Sequence, residues 1–149
     1  MKNLNILNKK HQRSSESGQS LVELALIITF LIILVAGLVD LGRMIFTYLT
    51  MRDAAQEGAV YGSIEPAQCT KIANRVNDNL PLYQTFDPVL IEINGAECTT
   101  VTNACSGDII EVTVSGDFDI RMPLLGAITG DTVPLSASIN DTVLSPTCP

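Results

Sequence analysis

"GQSLVELALIITFLIILVAGLVDLGRMIFTYLTMRDAAQEGAVYGS", residues 18–63, is the stretch that decides the fold. From Leu24 to Val39 no residue is charged, and nearly every side chain is large and aliphatic. Adding Leu21, Val22 and Glu23 makes a run of 19 residues. At a rise of ~1.5 Å per residue, a helix of that length matches the hydrocarbon core of a bilayer, roughly 30 Å. No proline interrupts residues 19–65. Beyond Asp40 the pattern becomes amphipathic: Leu41, Ile45, Tyr48 and Leu49 recur at helical spacing, followed by Ala55 and Ala59. The reading is one helix over 19–63, about 21–39 of it in lipid, whose upper half lays one face on a soluble domain. Ala55/Ala59 and Gly58/Gly62 are four apart, so small side chains line a face where another backbone can come close. Packing against the chain's own sheet is favoured over a seam between subunits.

The flanks set an orientation. Lys2, Lys9, Lys10 and Arg13 against Glu16 give residues 1–18 a formal charge of +3. From Arg52 onward four basic residues face thirteen acidic ones, a balance of −9. Basic residues beside a first apolar segment favour the cytoplasmic side. Residues 1–18 are therefore expected to form a basic cytoplasmic leader, not a folded element, and residues 64–149 an extracytoplasmic domain. The acidic exterior argues against nucleic acid, whose phosphates it would repel. The four cysteines, Cys69, Cys98, Cys105 and Cys148, all fall on the outer side. An even number there reads as an oxidising compartment with up to two disulfides and three possible pairings.

After Gly62-Ser63 ends the long helix, Pro66 suits the first turn of a short second one. Ile72, Val76 and Leu80 form its stripe, and Pro81 stops it. The signal then becomes β. Residues 89–93 alternate, as do 108–122 with Ile110, Val112, Val114, Phe118, Ile120 and Met122, and 133–144 with Leu135, Ala137 and Ile139. Gly116 is expected to mark a bend or bulge. Cys98 and Cys105 flank the middle of a turn-rich link, so a Cys98–Cys105 bond would close a short loop. Elimination then leaves Cys69–Cys148. The fold class is α+β and pilin-like: a long N-terminal helix, a short helix, and a small, mostly antiparallel sheet of three or four strands.

Chemistry is sparse. The only histidine, His11, precedes the apolar run, so the outer part holds neither a Ser-His-Asp nor a Cys-His arrangement. There is no C-x-x-C, H-E-x-x-H or glycine-rich phosphate loop. Asp117 and Asp119 share one face of a strand, and a solvated edge is a better reading for them than a cation site. Asn140-Asp141-Thr142 fits a glycosylation triplet, a pattern common by chance. No enzyme, metal, cofactor or small-molecule substrate is expected.

What remains is processing. "LVAGL" (34–38) offers a weak secretory cut, yet the helix carries on through Asp40 and Arg43. The other candidate cut follows Gly18 and leaves Gln19 as a new N-terminus, with Glu23 as the fifth mature residue. The new amine at Gln19 lies one helical turn from the Glu23 carboxylate. An unpaired carboxylate in a low-dielectric bundle is strongly disfavoured, so this pairing, within a chain or between neighbours, favours docking in one register. The alternative is a Glu23 hydrated at the headgroups.

A basic leader, glycine at the cut, glutamate at mature position five and an apolar helix resemble the class III signal of type IV pilins. "GQSLVELALI" with "GLVDLGRMIFTYLTMRDAAQEGAVYGS" resembles the TadE-like family, minor pilins (pseudopilins) of the Tad/Flp tight-adherence pilus. "IIEVTVSGDF", "MPLLGAI" and "LSAS" resemble that family's later strands more loosely. The resemblance implies that a prepilin peptidase cuts after Gly18, that Gln19 becomes the N-terminus, and that Glu23 serves assembly. Gln19 stands where many type IV pilins have phenylalanine. Expected partners are the prepilin peptidase, other pilins, Tad secretion-machinery subunits and membrane lipid. The competing reading is a single-pass, membrane-anchored binding domain outside any pilus.

Overall fold

The structure, a computed structural model, describes residues 13–122 and 130–145, with side chains from Gly18 onward. The chain divides into two compact units, Met1–Val39 and Asp40–Pro149. Helix α1 (Arg13–Ile64) contributes to both. It begins before Gly18, so the last residues of the expected leader are helical. Its apolar stretch is exposed throughout, and it is the one helix among the described residues long and apolar enough to cross a membrane.

In the second unit, α2 (Cys69–Asn79) follows α1, and four antiparallel strands complete an α+β fold: β1 (Leu90–Ile93), β2 (Ala96–Glu97), β3 (Ile109–Asp119) and β4 (Thr132–Thr142). The sheet order is β2-β1-β3-β4. Pro66 lies in the turn before α2, not in its first turn. Asn94 and Gly95 both take positive φ, 52° and 78°, the two-residue turn that matches strand twist and closes the β1–β2 hairpin. A short 3-10 turn (Cys98–Thr100) continues from β2. The Asp108 carboxylate accepts from Cys105 N at 2.7 Å and Asn94 Nδ2 at 2.8 Å. Those bonds hold its pKa below the usual carboxylate value, the Cys105 bond most.

Strand β3 shows why the sheet packs as it does. Its burial alternates residue by residue, with Ile110, Val112, Val114 and Phe118 turned inward. They join Ile91 and Ile93 of β1 and Ala137 of β4. Phe118 apart, this layer forms one buried cluster with Met51, Ala54, Ala55 and Ala59 of α1 and Ile72, Val76 and Leu80 of α2. The small residues of α1 therefore pack on the chain's own domain.

Three further expectations are corrected. Gly116 makes no bulge: it pairs in continuous register with Leu135. A Cβ there would stand 3.1 Å from Thr85 O and 3.3 Å from Phe86 Cα, so close approach of the 85–86 backbone is what requires glycine. The α1 face laid on the domain is also not the large aliphatic one. Leu41, Ile45, Tyr48 and Leu49 are exposed, while Asp40, Thr47, Met51, Ala54, Ala55 and Ala59 are buried. Bulky side chains would hold the sheet away. Alanine and glycine let it approach, and the polar members find hydrogen bonds.

The third correction concerns the disulfides. Cys69 is bonded to Cys98, across 29 residues of sequence and a Cα–Cα distance of 6.0 Å. This replaces both expected pairings, Cys98–Cys105 and Cys69–Cys148. The bond pins the start of α2 to the turn after β2, a juxtaposition made by the sheet and invisible in linear spacing. Cys105 is also disulfide-bonded, and Cys148 lies outside the described residues. Replacing Cys69 and Cys98 together by serine is expected to destabilise the domain by about 3–4 kcal/mol, from the closure entropy of a loop of that length. Thermal unfolding of the detergent-solubilised chain measures the loss. Non-reducing peptide mapping should recover the Cys69–Cys98 peptides linked, with a second linked pair containing Cys105. A Cys98–Cys105 peptide pair would contradict the fold.

Candidate functional site

Two features of α1 stand out. The first is the junction. Gly18 and Gln19 are exposed inside a continuous helix, and Glu23 is exposed one turn further on. The i, i+4 spacing puts Gln19 and Glu23 on the same face. Among the described residues the exposed Glu23 side chain makes no hydrogen bond or ion pair within the chain. A Cβ at Gly18 would meet nothing within 4 Å. The fold places no steric demand for glycine there.

The second feature lies where the apolar run ends, and the sequence reading passed over it. Asp40 is buried, and its Oδ2 accepts from Met122 N at 2.8 Å. Its Oδ1 accepts from Arg43 Nη1 at 3.0 Å, an i, i+3 ion pair. The Arg43 guanidinium lies 5.2 Å from the centroid of the Phe118 ring, within cation–π range. One turn on, Thr47 Oγ1 donates to Gln84 Oε1 in a long 3.5 Å bond, and Gln84 Nε2 donates to Asp117 O at 3.0 Å. Asp40, Arg43 and Thr47 thus clasp the end of β3 and the loop after α2 to α1. An acid and a base three apart, closing a charge-free run, were the available sequence signal.

Asp117 and Asp119 are both exposed, opposite Pro134 and Thr132 of β4. Among the described residues no cluster of metal-ligating side chains forms. Asn140 and its triplet lie within β4, with Asn140 exposed.

Comparison with known proteins bears on the first feature and on the second in part. Residues 18–60 match the model of the family described as TadE-like protein. No curated protein and no solved structure matches the chain. The match starts at Gly18 and takes in Gln19, Glu23, Asp40 and Arg43. Over residues 18–60, the junction and the clasp's helical half included, the chain is similar to TadE-like proteins.

Proposed function

We propose that the chain is a minor pilin (pseudopilin) of a Tad/Flp-type pilus. A prepilin peptidase removes residues 1–18 on the cytoplasmic side, and the mature protein acts in pilus assembly and adhesion without catalysing a reaction. The observation that carries this reading is the family match beginning at Gly18, with Glu23 exposed, unpartnered within its chain and one turn from the future N-terminus. The coarser part, a protein associated with the Tad pilus, is supported by the family match over residues 18–60. Its apolar helix is suited to serve as a membrane anchor. We place the N-terminus in the cytoplasm and residues 64–149 outside, on the charge asymmetry of the flanks.

In this mechanism cleavage creates a charge pair. Before the cut Glu23 has no cation in its own helix turn. Afterwards the Gln19 amine supplies one, in the same chain or in a neighbour moving past it. In a low-dielectric bundle an unpaired carboxylate costs several kcal/mol, roughly, so the register that pairs the two is selected. Prepilin peptidase, other pilins and Tad secretion subunits are the partners this requires.

Intact mass of the chain extracted from membranes tests the reading. Loss of residues 1–18 is the expected result. A full-length chain in cells with an active prepilin peptidase would favour the anchored binding domain outside any pilus. Glu23→Ala is expected to leave membrane insertion unchanged and to reduce incorporation into pili at least tenfold, about 1.4 kcal/mol of docking energy. Unaltered piliation would remove the role assigned to the carboxylate.

A further inference from the structure

The sheet has one long open edge. The order β2-β1-β3-β4 makes β2 and β4 the edge strands, and β2 has 2 residues against 11 in β4. The β3–β4 pairing runs from Thr132 to Thr142 without a break, so the backbone groups of β4 alternate between β3 and the free edge. Both ends fix the phase. Ile120 N donates to Asp131 O at 2.9 Å, and Val143 N donates to Asp108 O at 2.8 Å. Odd-numbered residues of β4 therefore face β3, and even-numbered ones turn outward. Of the outward set, Pro134 has no N–H, and the Thr142 N–H donates to Asp141 Oδ1 at 2.7 Å. Between these two, the N–H and C=O groups of Ser136, Ser138 and Asn140 make no hydrogen bond among the described residues. Sheets commonly blunt a long edge with lysine, proline or a bulge. Leu-Ser-Ala-Ser-Ile-Asn at 135–140 has none of these.

We propose that Ser136 to Asn140 accept an added β-strand from a partner protein, one whose side chains alternate between apolar and basic. The apolar set answers the helix-facing side of β4. There Ala137 is buried, whereas Leu135 and Ile139 pack on the core and are only half-buried, because no strand lies beyond them. Side chains of an added strand would pair with both and cover them. The basic set answers the solvent side. Glu97 stands opposite Glu92, and Glu92 opposite Glu111, an in-register row of like charges that opposes pairing. Asp117 and Asp119 lie on the same side of β3 as Glu111, and no basic residue of the four strands joins them there. An added strand lies two strand spacings from β3, about 10 Å, which a lysine and a glutamate side chain span together. The same charges disfavour a second copy as the occupant. Joined edge to edge, it would extend the face with more acids and no base. The inference goes beyond the pilus reading and does not rest on it.

The probe is a short labelled peptide of alternating lysine and valine. Its control has the same composition with the valines contiguous. Both are added to the full chain in neutral detergent at low ionic strength. The alternating peptide should slow amide hydrogen exchange at Ser136, Ser138 and Asn140 at least tenfold. Fluorescence anisotropy should show it binding at least fivefold tighter than the control, and more weakly as salt is raised. Ser136→Pro removes an outward N–H and keeps the bonds to β3, as Pro134 already does. That variant should keep the thermal midpoint of the parent chain and lose at least fivefold in peptide affinity. Absence of binding, or equal binding of the two peptides, overturns the inference. Binding that leaves exchange at the three amides unchanged also overturns it, since the acids alone would then be the contact. Slow exchange at those amides before peptide is added overturns it too, because the chain itself or a second copy would already cover the edge. A folded Ser136→Pro chain that binds like the parent is equally fatal. The exchange measurement needs no variant, so it decides even where Ser136→Pro fails to fold.

Discussion

Gly18→Leu is expected to abolish removal of residues 1–18, so that the chain recovered from membranes has its full-length mass while its helix content is undiminished. The structure separates these two outcomes. A side chain at Gly18 meets nothing within 4 Å, so leucine is tolerated sterically. Leucine also favours a helix interior over glycine by about 0.8 kcal/mol. If the residue had only a structural role, the substitution would be neutral or mildly stabilising. The proposed role makes it severe. A peptidase needs an accessible, extended backbone at the bond it cuts, and α1 runs helical from Arg13 through the junction. Glycine is the place where that helix opens most cheaply and where an enzyme can approach the backbone without a Cβ in the way. Mass spectrometry reads the processing and circular dichroism reads the helix. A normally trimmed Gly18→Leu chain would show that the cut lies elsewhere or that glycine is not what the enzyme reads.

The same contrast between local and tertiary causes explains what the sequence disclosed. The long helix was legible because an uncharged run of aliphatic residues admits few structures, and β1, β3 and β4 because period-two alternation survives in Ile110, Val112 and Val114. The two-residue strand Ala96–Glu97 carries no pattern of its own and exists because Asn94-Gly95 turns it back onto β1. The disulfide partner of Cys69 was illegible for a related reason. Loop length favoured the nearest cysteine, but the sheet brings Cys98 to the start of α2. At the candidate site the junction is proposed from residue types alone. The clasp was not legible, since burying Asp40 depends on an N–H 82 residues away. Hydrophobic periodicity pointed to the wrong face of the upper helix because it rewards large side chains. The sheet needed small ones.

That choice of face yields the most demanding test of the fold. Gly58→Leu is expected to destabilise the domain by about 2–3 kcal/mol, and Gly42→Leu to leave it unchanged or slightly more stable. At Gly42 an added Cβ meets nothing within 4 Å. At Gly58 it would overlap Val76 Cγ2, with Val112 Cγ1 at 3.4 Å and Ile72 Cγ2 at 3.6 Å. Valine is stiff at χ1 and Val76 is fully buried, so the obstacle cannot rotate away cheaply. Gly62 should be more forgiving. Its obstacles are Ile110 Cδ1 and Ile72 Cδ1, the far ends of longer side chains. Gly58→Ala should therefore cost more than Gly62→Ala, although both gain helix propensity equally. Thermal unfolding of the full chain in detergent gives the ranking, with the disulfides intact in every variant. Equal losses at Gly42 and Gly58 would mean that the small-residue face is not committed to its own sheet, and the seam between subunits would return as its explanation. With the expected ranking, Gly58 and Gly62 are spent inside the subunit. Contacts with lipid and with neighbouring helices then fall to the opposite face, where Leu41, Ile45 and Leu49 stand exposed.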